Sequence, residues 1–261
     1  MQELRGDQFP WAAISRTGDR AVVPRIASAM TDRFLVRVFA MHLGRGGRFL
    51  EVGAAGSPWL GHVARTLGAE AWGLDPSPLG LARAARAAAD VRDRLTLVAG
   101  ELHDRALLPA GTFHVVYSGG WVERLPSSRP TLERFTELVA PDGVVVTVVP
   151  NLRGVNGALQ ALADRDTFAR HVVHTPETLD AVHADAGLVP VERTRYLDLV
   201  DLGCVDWTRL AGRLPRQLWR AVSYGLSLSR RAGIAVAART DADGGRLLAP
   251  MIGGVYRRRG C

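Results

Sequence analysis

The sequence predicts an α/β fold: a mostly parallel β-sheet with helices on both faces. Three observations carry that expectation. Between about residues 30 and 200, short apolar runs alternate with segments of helical period, the order that a crossover-connected parallel sheet requires. The runs are continuously apolar, as strands buried on both faces must be. Residues 144–149 place five valines in six positions, the most strand-like stretch of the chain. A chain of 261 residues with 47% hydrophobic content is large enough to bury such a core.

The elements follow in order. Thr31 stands where it would cap a helix through Phe34, Leu35, Val38, Phe39 and Met41, which recur at helical spacing, and residues 1–44 are read as an N-terminal helical cap. A strand is predicted at 48–52. Ser57 as N-cap and Pro58 in the first turn predict a helix over 58–67. A strand at 71–74, an alanine-rich helix over 79–89, strands at 95–98 and 113–117, a helix over 131–139 and the valine strand complete the regular part. Beyond Asn151 the pattern weakens to a polar turn, a helix over 176–186 begun by Thr175, and late strands at 189–197 and 248–256. Residues 200–246 read as a helical insertion before the last strand. The whole is expected to be a single domain, 1–261, with its core in 45–199 and 247–261.

Composition excludes several chemistries. The formal net charge is +7, and all 33 basic residues are arginine. Without lysine there is no Schiff-base nucleophile, no pyridoxal phosphate anchor and no lysine-bearing phosphate loop. Cys204 and Cys261 have no second cysteine at ligand spacing, so neither a structural zinc site nor a structural disulfide is expected, and no metal is. No apolar run of 18 residues and no charged-then-apolar leader occurs, which predicts a soluble, cytoplasmic protein. The positive charge is read first as dispersed, solvated arginine.

The most informative stretch is Phe49-Leu50-Glu51-Val52-Gly53-Ala54-Ala55-Gly56-Ser57-Pro58. A dinucleotide fingerprint needs glycine at the first, third and sixth positions of this turn, and here those positions hold Gly53, Ala55 and Pro58. Ala55 would crowd a pyrophosphate, and Pro58 removes an N–H from the helix start. Glu51 would repel a pyrophosphate but favour an ammonium and a sulfonium. Asp75 follows Gly53 by 22 residues at the end of the second strand, where an acid can accept hydrogen bonds from ribose hydroxyls. Gly100-Glu101 after the third strand offers a carboxylate to an adenine amino group. Ser118-Gly119-Gly120-Trp121 after the fourth permits close approach and supplies an aromatic cover. Each feature alone has a plain structural explanation, such as helix capping by Asp75; the four together, in order at carboxyl ends of strands, point to one ligand site.

These residues resemble the class I S-adenosylmethionine-dependent methyltransferases. Leu50-Glu51-Val52-Gly53-Ala54-Ala55-Gly56 is similar to the family's first motif, and Gly73-Leu74-Asp75-Pro76-Ser77 to its second. Phe113-His114-Val115-Val116-Tyr117-Ser118 with Val122-Glu123-Arg124-Leu125 resembles the fourth strand and its turn, and Pro141-Asp142-Gly143 the approach to the fifth. The resemblance spans roughly residues 47–151. It implies a Rossmann-like, seven-stranded sheet whose last strand is antiparallel. It implies S-adenosyl-L-methionine as cofactor, lined by Glu51, Gly53, Ala54, Gly56, Asp75, Pro76, Glu101, Leu102, Gly119 and Trp121. The chain departs from the pattern at Ala55 (usually glycine), Glu101 (usually aspartate) and Arg124 (often histidine). The Asn/Asp-Pro-Pro-Tyr motif of nucleobase amino-methyltransferases is missing, which argues against adenine methylation.

Methyl transfer from a sulfonium needs alignment, desolvation and, for some acceptors, removal of a proton. His171 and His174, between the fifth strand and the next helix, are the candidate catalytic bases. Read as a metal pair, His171 and His174 lack an evident third ligand. Asn151 and Arg153 are candidate acceptor contacts, Arg153 for an acidic group, and Trp11 is a candidate lid over the mouth. In the insertion, Arg209, Arg213, Arg216 and Arg220 fall at spacings of four, three and four, a basic stripe if the helix runs through Pro215. The insertion is expected to be surface helices packed on the sheet, with a lid or a peripheral membrane contact as the alternative. The expected function is transfer of a methyl group to an O, N or C atom of a small-molecule acceptor, a specialised metabolite or lipid-like compound, by a monomer or homodimer. Alternatives are an RNA methyltransferase, motivated by the charge although no nucleic-acid module is recognisable, and a non-methylating S-adenosylmethionine binder.

Overall fold

A computed structural model describes residues 30–125, 127–240 and 244–260. The sheet runs β3-β2-β1-β4-β5-β8-β6, with β7 also pairing β8. The strands are β1 (Arg48–Val52), β2 (Glu70–Asp75), β3 (Leu95–Ala99), β4 (Phe113–Gly119), β5 (Val139–Pro150), β6 (Leu188–Pro190), β7 (Arg195–Leu197) and β8 (Met251–Arg258). β1 to β5 pair in parallel, and β8 is antiparallel to β5 and to both short strands. Eight strands thus occupy seven positions. The segment expected as one strand over 189–197 is broken in two: Val191 still donates to Val255 O, but the chain leaves the sheet and returns at Arg195.

Both faces of the sheet are buried, for the reason the apolar runs suggested. Phe49 enters one hydrophobic core and its neighbour Leu50 the other. In β5, Val144, Val146 and Val148 face the first core while Val145 and Val149 face the second, so the period-two geometry of a strand divides one valine run between two layers. Helix α1 (Met30–Leu43) packs on the first face through Phe34, Leu35, Val38 and Phe39. There Phe39 meets Phe49, Trp59 and Tyr117 edge-on at ring separations of 4.9 to 5.4 Å. Thr31 does not cap this helix. Asp198, in the left-handed conformation at φ 64°, accepts from the N–H groups of Met30 and Thr31 and from the Thr31 hydroxyl. The cap comes from 167 residues away in sequence, beyond the reach of any local pattern.

The remaining helices are α2 (Trp59–Leu67), α3 (Pro78–Ala87), α4 (Arg129–Leu138), α5 (Val155–Ala163), α6 (Arg165–Ala169), α7 (Pro176–Asp185), α8 (Thr208–Ala211), α9 (Arg216–Thr240) and α10 (Gly245–Leu248). α7 begins at Thr175 as expected, with a reciprocal capping pair between Thr175 and Thr178. The polar turn expected after Asn151 is present over residues 152–154, and its later part, Asn156-Gly157, lies in helix α5. Pro215 ends the expected arginine stripe: Arg209 sits on α8 and pairs with Asp164 and Asp166, while Arg216 and Arg220 belong to α9. On the second face, His183 stacks on Tyr256 at 3.7 Å between ring centres and shares a hydrogen bond with Thr147. Burial pushes the His183 imidazole down to about 3, so it is a neutral packing group. Among the described residues, no helix is long and apolar enough to cross a membrane.

Candidate active site

The β1–α2 turn is bound to β2 by its own backbone. Gly53 and Ala54 N–H donate to Leu74 O at 2.9 and 3.1 Å, Gly56 N–H to Gly80 O at 3.2 Å, and Ser57 N–H to Ala54 O at 3.1 Å. Ala55 N–H donates to Asp75 Oδ2 at 3.0 Å. Pro58 has no N–H, and Trp59 and Leu60 N–H donate to Ser57 Oγ. Every donor from Gly53 to Leu60 is therefore used inside the protein. A pyrophosphate cradle needs such donors aimed outward; this turn offers none, and the dinucleotide alternative fails on geometry. The first and last glycines of the turn are required by conformation, with φ of 85° at Gly53 and 68° at Gly56. Ala55 in place of glycine is accommodated by Gly80, where a Cβ would lie 2.4 Å from that of Ala55.

Two carboxyl groups define the polarity of the corner. Glu51 on β1 is 5% exposed and accepts a hydrogen bond from the Ser57 hydroxyl. Burial raises its carboxyl to about 8; the Ser57 hydrogen bond opposes this and neighbouring Asp75 adds to it. Asp75 closes β2, also 5% exposed, and its Oδ1 accepts from Ser77 N–H at 2.8 Å. Burial raises its pKa too, against the hydrogen bonds from Ser77 and Ala55. A corner with two buried acids and no outward donor is built for positive charge. Its residues fit an ammonium, a sulfonium and ribose hydroxyls.

The surrounding positions are as follows. Ala54 and Leu102 are buried, Pro76 is half-buried, and Glu101 and Gly119 are exposed. Trp121 lies across the first glycine: a Cβ on Gly53 would sit 3.1 Å from its ring. The sequence reading gave no role to Glu123, two residues on, which is 1% exposed. Burial raises its carboxyl to about 7 against the opposing charge of Arg124. The signal lay in the sequence: an acid between Val122 and Leu125 in a three-residue turn has little access to solvent.

His171 joins this wall. Val172 N–H donates to Glu123 O at 2.6 Å, which ties the segment after α6 to the turn after β4. His171 Nδ1 donates to Thr167 O at 2.6 Å, so Nε2 is the unprotonated nitrogen. Burial lowers its pKa, and Arg124 lowers it further. His174 is separate. It is 3% exposed, neither ring nitrogen has a hydrogen-bond partner among the described residues, and it lines a cavity of about 230 Å³ with Leu125, Ser128, Arg129 and Val182. Burial lowers its pKa as well.

Asn151 is a correction. It is completely buried, its Nδ2 donates to Arg246 O and Ala249 O at 3.0 and 2.8 Å, and its Oδ1 accepts from Arg153 N–H. It clamps α10 to the end of β5 and presents no surface to an acceptor. Arg153 is exposed beside it. Trp11 lies outside the described residues. Among the described residues, no cluster of three or more His, Cys, Asp or Glu side chains could hold a metal ion.

Comparison with known proteins agrees with this chemistry. Residues 25–193 match the family model of the methyltransferase domain. No curated protein matches the sequence. The [4+2]-cyclase SpnF is similar in structure with a TM-score of 0.60 and 15% identity, over 96% of this chain and 92% of that one. Geranyl diphosphate C-methyltransferase from Streptomyces coelicolor A3(2), in complex with Mg2+, geranyl diphosphate and S-adenosyl-L-homocysteine, gives 0.55 and 16% over 87% and 79%. Phosphoethanolamine N-methyltransferase 2 from Haemonchus contortus, with S-adenosyl-L-methionine, gives 0.57 and 12%, over 87% of this chain but 52% of that longer one. At such identities the structural likeness is one of fold; the family match covers well over half of the sequence. The chain belongs to the methyltransferase domain family and is an S-adenosylmethionine-dependent enzyme.

Proposed function

We propose that this enzyme methylates an O, N or C atom of a small molecule, a specialised metabolite or lipid-like compound, with Glu51, Gly53, Asp75 and Trp121 as the centre of its cofactor site. The observation that carries the cofactor assignment is the pairing of two buried acids with a turn whose N–H groups are all spent internally. S-adenosylmethionine supplies an electrophilic methyl group on a sulfonium. Glu51 compensates positive charge, Asp75 accepts from hydroxyls with the lone pairs its backbone partners leave, and Trp121 excludes water over Gly53. Leu102 and Pro76 supply apolar walls, and Glu101 and Gly119 border the opening.

A small acceptor is favoured by the segment from α5 to His171, which follows the carboxyl end of β5 and is tied at Val172 to the turn after β4. His171 takes the acceptor's proton on Nε2, its tautomer held by Thr167 O; its lowered pKa keeps it neutral and able to do so at physiological pH. His174, buried at the wall of a separate cavity, is the second candidate. Arg153 attracts an acidic group on the acceptor.

The test is incubation with methyl-labelled S-adenosylmethionine and separate pools of small metabolites, amphipathic lipids and total RNA. Label in a small molecule or lipid is expected; label in RNA alone overturns the reading. For a proton-bearing acceptor, His171→Ala should lower single-turnover rate by about 100-fold and leave cofactor affinity unchanged, whereas His174→Ala should change the rate less. The reverse order would move the base to His174.

A further inference from the structure

Among the described residues helix α9 is the longest, and it is unlike the rest. Over Arg216–Thr240 it carries Arg216, Arg220, Arg230, Arg231 and Arg239, and no aspartate or glutamate. Its sides divide into three. Trp219, Val222, Leu226 and Ser229 are half-buried and Gly233 is buried, so these positions face the protein; Gly233 abuts the Val200 backbone so closely that a Cβ would fall 2.4 Å from Val200 O. Leu218, Ala221, Tyr224, Leu228, Ala232 and Val236 are exposed. On a helix of 3.6 residues per turn these six span an arc of about 120°. The four large ones are 50%, 66%, 45% and 44% exposed for Leu218, Tyr224, Leu228 and Val236. Arg216, Arg220 and Arg231 are exposed on the side bordering that stripe.

We propose that α9 docks the enzyme on an anionic lipid bilayer, its apolar stripe entering the interface and its arginines meeting lipid phosphates. The pattern is that of a helix lying in the membrane plane: an apolar face, interrupted by exposed Gln217 and bordered along one edge by cations, with too little mean hydropathy to span. Charge decides between occupants. A second copy of the chain pairing along this stripe would bring arginines together with no acid on either helix to compensate. RNA would satisfy the arginines but not an exposed stripe of leucine, tyrosine and valine. Of these three occupants, the anionic lipid surface meets both faces. This placement does not depend on which acceptor the enzyme methylates.

The experiment is sedimentation of the full-length protein with vesicles of phosphatidylcholine alone and of phosphatidylcholine mixed with phosphatidylglycerol. Partitioning into the mixed vesicles is expected to be at least 10-fold stronger and to weaken as salt is added. Leu218→Asp with Leu228→Asp, and separately Arg216→Gln with Arg220→Gln and Arg231→Gln, should each lower it by about 100-fold. Melting temperature and S-adenosylmethionine affinity report that both variants remain folded. Equal binding to both vesicle types, or binding that survives Leu218→Asp with Leu228→Asp, overturns the proposal. So does a dimer in light scattering that these substitutions dissolve, or retention of RNA, when vesicles are not bound.

Discussion

The β1–β2 corner and the segment beyond β5 both place polar side chains at the carboxyl edge of the sheet, but they hold them by different means. At the corner the partners are near in sequence: Ser57 on Glu51 six residues away, and Ala55 on Asp75 twenty away. Beyond β5 the partners are distant. Asn156 donates to Asp201 O, Gln160 accepts from Asp206 N–H, and Asn151 reaches Ala249, separations of 45, 46 and 98 residues. The corner, the proposed cofactor site, is specified locally. The segment beyond β5, the proposed acceptor side, is assembled from stretches of chain that meet only when the whole domain has folded, so its shape can change without disturbing the corner.

The largest expected effect breaks the corner. Glu51→Gln should weaken S-adenosylmethionine binding by about 100- to 1000-fold, because a cation would then face a neutral buried amide; calorimetric titration measures it. The same substitution should stabilise the protein at alkaline pH. Glu51 has a folded-state pKa of about 8, raised from 4.5. Folding therefore favours the protonated form, and stability that is present in full below the unfolded value is lost as pH rises through 8. At pH 9 the variant should be more stable than the parent by about 5 kcal/mol; at pH 4 the two should be equally stable. A parent that binds cofactor equally well at pH 6 and pH 9 would contradict this, since the carboxyl must ionise to meet a cation, releasing about one proton per cofactor bound below pH 8.

A smaller loss, about 10-fold in cofactor affinity, is expected for Asp75→Asn, which keeps an acceptor for one backbone N–H but loses the charge that strengthens bonds from hydroxyls. Unchanged affinity in the same titration would remove Asp75 from the site. Asn151→Ala sharpens the comparison from the other side. It leaves the Arg246 and Ala249 carbonyls without their donor and should lower stability by about 2 kcal/mol in a denaturant titration. Cofactor affinity should not move; a parallel loss would mean that the two regions are not separable.

The same contrast explains what could be read in advance. The order of strands and helices through β5 follows from apolar runs and caps, each decided within a few residues. The acid corner was legible because Glu51, Gly53, Gly56 and Asp75 keep a fixed spacing in a turn whose conformation admits little else. Glu123 went unassigned because its importance comes from burial, which sequence pattern shows only weakly. Asn151 was misread because a polar residue after a strand looks the same whether it faces a ligand or clamps a distant helix. The break between β6 and β7 was invisible for a related reason: β8 pairs with both, and a strand's partner is not written in the strand.

By itself the sequence determined the parallel sheet with two buried faces and the pair of acids at its corner, because periodicity and the chemistry of adjacent residues act over short range. Only the tertiary structure decided that the turn has no N–H left for a phosphate, that Asp198 caps α1, and that α9 turns an apolar stripe to solvent beside its arginines. Each of those depends on which surfaces meet across the fold, and burial and desolvation, which set the carboxyl and imidazole equilibria at the site, exist only once they have met.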